Sequence, residues 1–176
     1  MAIKNFWSLN VDECLVSDKL KSILKGWEVF IPLNSQLQDI DLAIINLKNE
    51  KTLSIQVKGS RTYEPRKSEI EKYGNGSAAW FRLDKKSILK PKNKIDYYIF
   101  VLHNFLDTAT RKKINIDFLV IPNKIFQRIC SKKIIRKGGY YHFFIWVDSK
   151  EKRSFDFREM KIINLSKYLN NFSQIK

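Results

Sequence analysis

The run Ile95-Asp96-Tyr97-Tyr98-Ile99-Phe100-Val101-Leu102-His103 constrains this chain more than any other stretch. It is apolar almost throughout and rich in β-branched and aromatic residues. A strand with one wet face alternates apolar and polar residues. A strand covered on both faces reads as a continuous apolar run. The run is too short for a membrane helix, which needs about 20 residues, and no other apolar run reaches that length. It therefore predicts a central strand with other elements packed on both sides.

The neighbouring segments fill in an α/β (α+β, mixed-sheet) fold. Val11 to Lys25 carries an apolar stripe at Val16, Leu20, Ile23 and Leu24, with Asn10 or Asp12 as a cap and Gly26 as a stop. Glu28 to Leu33, Asp39 to Leu47 and Thr52 to Gly59 read as strands, the last two joined by Lys48-Asn49-Glu50-Lys51 as a hairpin. Arg61 to Ser77 reads as a polar loop with one helical turn at most. Trp80 to Leu83 is a short strand, followed by a short helix near Asp84 to Leu89. Ile116 to Ile121 is a strand and Asn123 to Lys132 a helix. Tyr140 to Val147 and Ser154 to Phe157 form a second hairpin, and Asn164 to Phe172 a terminal helix. The 176 residues form one domain, with a core from about 11 to 130 and an elaboration over 138–173. Met1 to Asn10 has no signal-peptide apolar segment, so the expected location is the cytoplasm, with no membrane partner.

Charge narrows the function classes. Lys and Arg number 33 against 18 Asp and Glu, a net +15. An excess of this size favours a polyanionic partner, nucleic acid first. Codon bias towards Lys and an anionic membrane surface are the other readings. The distribution favours the first. Arg111, Lys112, Lys113, Lys124, Arg128, Lys132, Lys133, Arg136 and Lys137 face Asp117 alone, so more than half the net charge lies in one segment. Two cysteines and two histidines exclude a disulfide framework and a four-ligand zinc site of the usual kinds. No glycine-rich phosphate loop is present.

The first hairpin places a polar cluster. With the turn centred on Asn49-Glu50, Leu42 faces Val57 and Ile44 faces Ile55, all on one apolar face. The other face then holds Asp41 opposite Lys58 and Ala43 opposite Gln56, with Asp39 in line with Asp41. Two readings fit these residues: an exposed face with a cross-strand Asp–Lys pair, or a converged site. Glu13 bears on the choice. It lies on the apolar side of the first helix, where a carboxylate is costly unless partnered. The alternative is that the first turn of the helix, with its favourable dipole, accommodates it. Carboxylate and carboxamide oxygens are hard ligands suited to Mg²⁺, which binds through few protein groups, waters and phosphate. A lysine beside such an ion helps orient water and offsets charge developing on phosphate.

Asp41, followed after a hairpin by Ile55-Gln56-Val57-Lys58, resembles the PD-(D/E)XK nuclease superfamily, the restriction-endonuclease-like fold. The helix bearing Glu13, the segment Phe30-Ile31-Pro32, Trp80-Phe81-Arg82-Leu83 and Asp96 to Val101 are also similar to uncharacterised bacterial members. The likeness spans about Val11 to Ile129. It implies a Mg²⁺-dependent nuclease, with Mn²⁺ as a substitute, acting on double-stranded DNA in a restriction, repair or defence setting, and possible as a homodimer. It assigns Asp41 as the metal-binding aspartate, Gln56 to the second ligand position, Lys58 as the catalytic lysine and Glu13 as the accessory helix carboxylate. Two departures stand out: Ile40 replaces the proline before Asp41, and Gln56 replaces an acid. The rival from another class is a non-catalytic nucleic-acid-binding module on the same fold.

The remaining residues carry weaker readings. Arg61, Arg66 and Lys67 lie in the polar stretch after Lys58, which is either a DNA clamp or a solvated loop. The basic segment from Arg111 to Lys137 would contact phosphates. Trp80, Phe81, Tyr140 and Tyr141 fit sheet packing, with stacking on bases as the alternative. His103 and His142 read as sheet residues.

Overall fold

The computed structural model describes residues 10–32, 40–90, 94–107 and 112–175. Among them are nine strands and four helices. The helices are α1 (Val11–Ile23), α2 (Lys67–Tyr73), α3 (Lys85–Ile88) and α4 (Asn123–Ser131). The strands are β1 (Trp27–Phe30), β2 (Leu42–Asn46), β3 (Thr52–Tyr63), β4 (Ser77–Asp84), β5 (Tyr97–Asp107), β6 (Lys112–Pro122), β7 (Tyr140–Asp148), β8 (Arg153–Asp156) and β9 (Ile163–Asn164). The fold is mixed α/β. No helix among the described residues is long and apolar enough to cross a membrane.

The sheet branches at β3. Its main path runs β1-β2-β3-β4-β7-β8-β9, while β5 also pairs with β3 and carries β6 beyond it. Ile55 to Arg61 of β3 pair in parallel with Tyr97 to His103 of β5. Thr62 and Tyr63, at the end of the same strand, pair antiparallel with β4. One 12-residue strand therefore belongs to both halves of the sheet.

β5 is covered on both faces, as its unbroken apolar run implies. Tyr98, Phe100 and Leu102 join a core with Phe81, Ile88, Phe126 and Phe143. Ile99 and Val101 join a second core under Val16 and Leu20 of α1. Each such side chain contributes about 1.5–3 kcal/mol by leaving water. Asn10 caps α1 through its side-chain oxygen, which accepts from Asp12 N. Gly26, at φ +78°, turns the chain from the helix end into β1, a conformation glycine adopts without strain.

Three local expectations are corrected. In the first hairpin Leu42 pairs with Ile55 and Ile44 with Leu53, two residues away from the register centred on Asn49-Glu50. Asn46 sets the turn: Glu50 N donates to its carbonyl at 2.9 Å, Lys48 N donates to its side chain at 2.9 Å, and Glu50 takes φ 57°. The displacement is even, so every side chain keeps its face. Beyond Gly59 the chain continues β3 to Tyr63 and then forms α2, where a polar loop was expected. The terminal helix is replaced by β9 and by two 3-10 turns, Ser166–Tyr168 and Phe172–Gln174. Asn170 explains this, at φ 51° with its side chain accepting from Phe118 N and donating to Asp117. Such side-chain bonds compete with helix formation.

Candidate functional site

Asp41 sits one residue before β2, where its amide donates to the Ile55 carbonyl at 3.0 Å. This places it beside Gln56 rather than Lys58. Its Oδ2 accepts from Val57 N at 2.8 Å and from the Gln56 side-chain amide. The reason is local: β2 begins only at Leu42, and just before it the Asp41 carboxylate satisfies the Val57 amide. Gln56 is buried at 5% exposure. Lys58, half-buried, lies two residues further along β3 on the same face. Asp39 lies outside the described residues.

Glu13 is buried at 6% exposure in the first turn of α1, where its Oε1 accepts from Asn10 Nδ2 at 3.0 Å. It is thus a partnered helix-start carboxylate. α1 packs on the Val57 face of the sheet, opposite to the face of Gln56 and Lys58. Among the described residues no three His, Cys, Asp or Glu side chains are grouped to hold a metal ion.

As placed, the Gln56 amide nitrogen donates to Asp41, so two oxygens would face a cation here only with the amide turned. An amide can present either its nitrogen or its oxygen, and the two are assigned from the hydrogen-bond network. With nitrogen towards Asp41 the pair closes on itself. With oxygen towards Asp41 two acceptors meet, and a cation between them satisfies both. Mg²⁺ uses such sparse protein ligation, completed by water and phosphate.

On the opposite, Val57 face of β3, two polar residues of α1 and β5 meet. Asp12 Oδ1 lies 2.6 Å from His103 Nε2. Asp12 also rests on Gly59, the residue after Lys58: a Cβ at Gly59 would fall 1.5 Å from Asp12 Oδ2 and 2.5 Å from its Cγ. The signal was present as a glycine inside a strand, which marks close approach of another group.

The basic residues divide. Lys124 and Arg128 on α4, and Lys132 at its end, recur every fourth residue and are exposed. Lys137, Lys113, Arg66 and Lys67 are exposed as well. Lys113, however, is at the opposite end of β6 from α4, about 30 Å away along the strand. The segment from 111 to 137 is therefore not one patch. Arg111 lies outside the described residues, and Arg61 and Lys112 are described by backbone only.

Lys133 is corrected. It is buried at 6% exposure, with its ammonium on the Asp156 carboxylate, 3.8 Å from Glu159 Oε1 and 4.4 Å from the Phe143 ring centroid. An enclosed, paired ammonium cannot reach a phosphate. Burial pushes the Asp156 carboxyl up despite the opposing Lys133, and pushes the neighbouring Cys130 thiol up as well. Arg136 is also engaged, its guanidinium donating to Glu159 at 3.1 Å.

Comparison with known proteins returns no matching family model, curated protein or solved structure.

Proposed function

We propose that this chain is a Mg²⁺-dependent nuclease that hydrolyses phosphodiester bonds of double-stranded DNA, in a restriction, repair or defence setting. The observation carrying this reading is the juxtaposition of Asp41, Gln56 and Lys58 at the β2–β3 junction. The order of a helix, a three-strand meander and a central strand parallel to β3 supports the likeness to the PD-(D/E)XK nucleases.

Asp41 and Gln56 would hold the ion through oxygen, with Mn²⁺ as a substitute. The bound ion would supply Lewis acidity and lower the pKa of water. Lys58 would position the attacking water and offset charge developing on the phosphate. Glu13, already partnered by Asn10, would act on the site through α1 rather than as a ligand on the Gln56 face. Exposed Lys124, Arg128 and Lys132 would contact backbone phosphates, a sequence-independent grip that weakens with salt. A homodimer would place two such sites on the two strands of a duplex.

Plasmid cleavage by the purified chain, with Mg²⁺, Mn²⁺ or chelator, tests this. The expected result is metal-dependent cutting that falls by about 100-fold or more in both Asp41→Asn and Lys58→Ala. Cutting that survives both substitutions would refute the assignment. A second reading rests on the neutral Gln56 and the Asp41 carboxylate already engaged by protein donors: a non-catalytic nucleic-acid-binding module. Salt-sensitive DNA binding without cutting in any metal would select it.

A further inference from the structure

The outer face of β4 and β7 has a different character from the rest of the sheet. β4 turns Ala79, Phe81 and Leu83 into the core and leaves Trp80 and Arg82 outside. β7 turns Tyr141, Phe143 and Ile145 inward and leaves Tyr140, His142 and Phe144 outside. The register sets Trp80 opposite Phe144 and Arg82 opposite His142. Aromatic and cationic groups thus interleave across two strands.

Trp80 is the open ring of this face, while guanidinium groups lie over Tyr140 and Phe144. Trp80 is 44% exposed and meets His142 edge-on, with centroids 5.8 Å apart at 77°. The Arg82 guanidinium lies 3.8 Å from the Tyr140 centroid, and Arg158 lies 5.0 Å from that of Phe144. Beside Phe144 a cleft of about 480 Å³ opens between Tyr63, Phe157, Arg66 and Arg158, with Glu64 and Glu69 also lining it. At the far end of the same face, Trp146 is roofed by Tyr73 of α2 and by Phe155 and Phe157. Apolar cover is therefore available in this fold, and among the described residues the Trp80 end has no such roof.

We propose that this face is a stacking platform for single-stranded nucleic acid. Unpaired bases offer flat π-faces of any sequence, and aromatic side chains bind them by stacking. Outward residues recur about every 6.7 Å along a strand, close to the phosphate step of an extended single strand. Arg82 and Arg158, over Tyr140 and Phe144, bring positive charge beside Trp80 for the phosphate backbone. The field there is positive: after burial, which is the largest cause, Arg158, Arg82, Arg136 and Lys133 all hold the His142 pKa below its ordinary value. A duplex hides its bases in its own stack and cannot use the rings. The site is independent of Asp41, Gln56 and Lys58, and it extends the proposed function to unpaired strands.

The test is fluorescence anisotropy of a labelled 12-mer of thymidylate with the full chain in chelator, so that no metal contributes. Trp80→Ala is expected to weaken binding roughly 5- to 100-fold, the loss of one stacked base, and Trp80→Phe to restore most of it. Arg158→Ala is expected to weaken binding and flatten its salt dependence. Lys48→Ala, exposed in the first hairpin turn, is expected to bind as the wild type, and the chelator separates this result from that of the nuclease assay. A uridylate 12-mer in the same series assigns the preference between DNA and RNA. Unchanged affinity in both Trp80→Ala and Arg158→Ala, or equal competition by a 12-base-pair duplex, would overturn the proposal.

Discussion

Lys133 and Lys132 are neighbours in sequence with opposite fates. Lys132 is exposed at the end of α4, whereas Lys133 is enclosed with Asp156. Replacing one partner of a buried pair leaves the other charge without compensation. Lys133→Met is therefore expected to destabilise the fold by about 3–5 kcal/mol, measured as a fall in the urea midpoint. Lys133→Met combined with Asp156→Asn should recover most of this loss. The amide removes the stranded charge while its oxygen can still accept from Phe144 N and Arg158 N, as the Asp156 carboxylate does at 3.0 and 3.1 Å. A loss under about 0.5 kcal/mol in the single variant would place Lys133 at the surface after all. Nothing in Lys132-Lys133 announces the difference, because composition counts charges without locating them. The partner Asp156 is 23 residues away and reaches Lys133 only through the folding of β7 onto β8.

Elements were more legible than their joints. The apolar run at Ile95–His103 and the alternation at Leu42, Ile44, Ile55 and Val57 state which faces are buried, and both statements hold. The hairpin register was misplaced by two because both registers keep the same faces. What decides between them is Asn46 and its turn, not the hydrophobic pattern. The same limit applied to the candidate site, where Asp41 was expected opposite Lys58 and lies beside Gln56. The contact of α1 with β3 was likewise invisible, since it depends on Asp12 filling the space above Gly59. Gly59→Ala is expected to cost about 1–3 kcal/mol, because the new methyl overlaps a helix side chain down to its Cγ. In an Asp12→Ala background the same change should cost clearly less, and urea unfolding of the four proteins gives the coupling. Equal costs in both backgrounds would mean that some other contact is strained.

At the scale of the molecule, β5 contributes to two cores and β3 to two half-sheets. The core that unites Tyr98 and Phe100 of β5 with Phe81 of β4 and Phe143 of β7 joins the two halves, so loss of one exposes apolar surface of the other. Urea unfolding is accordingly expected to be a single transition, with coincident midpoints by tryptophan fluorescence and far-UV circular dichroism. Separated midpoints would show halves that melt independently. The branching of β3 has a further consequence. Lys58 and Tyr63 lie on one unbroken strand, five residues or about 17 Å apart, with no hinge between them. Anything that touches both ends is measured against a fixed bar. The distance between the two ends is set by the backbone, before any side chain is consulted.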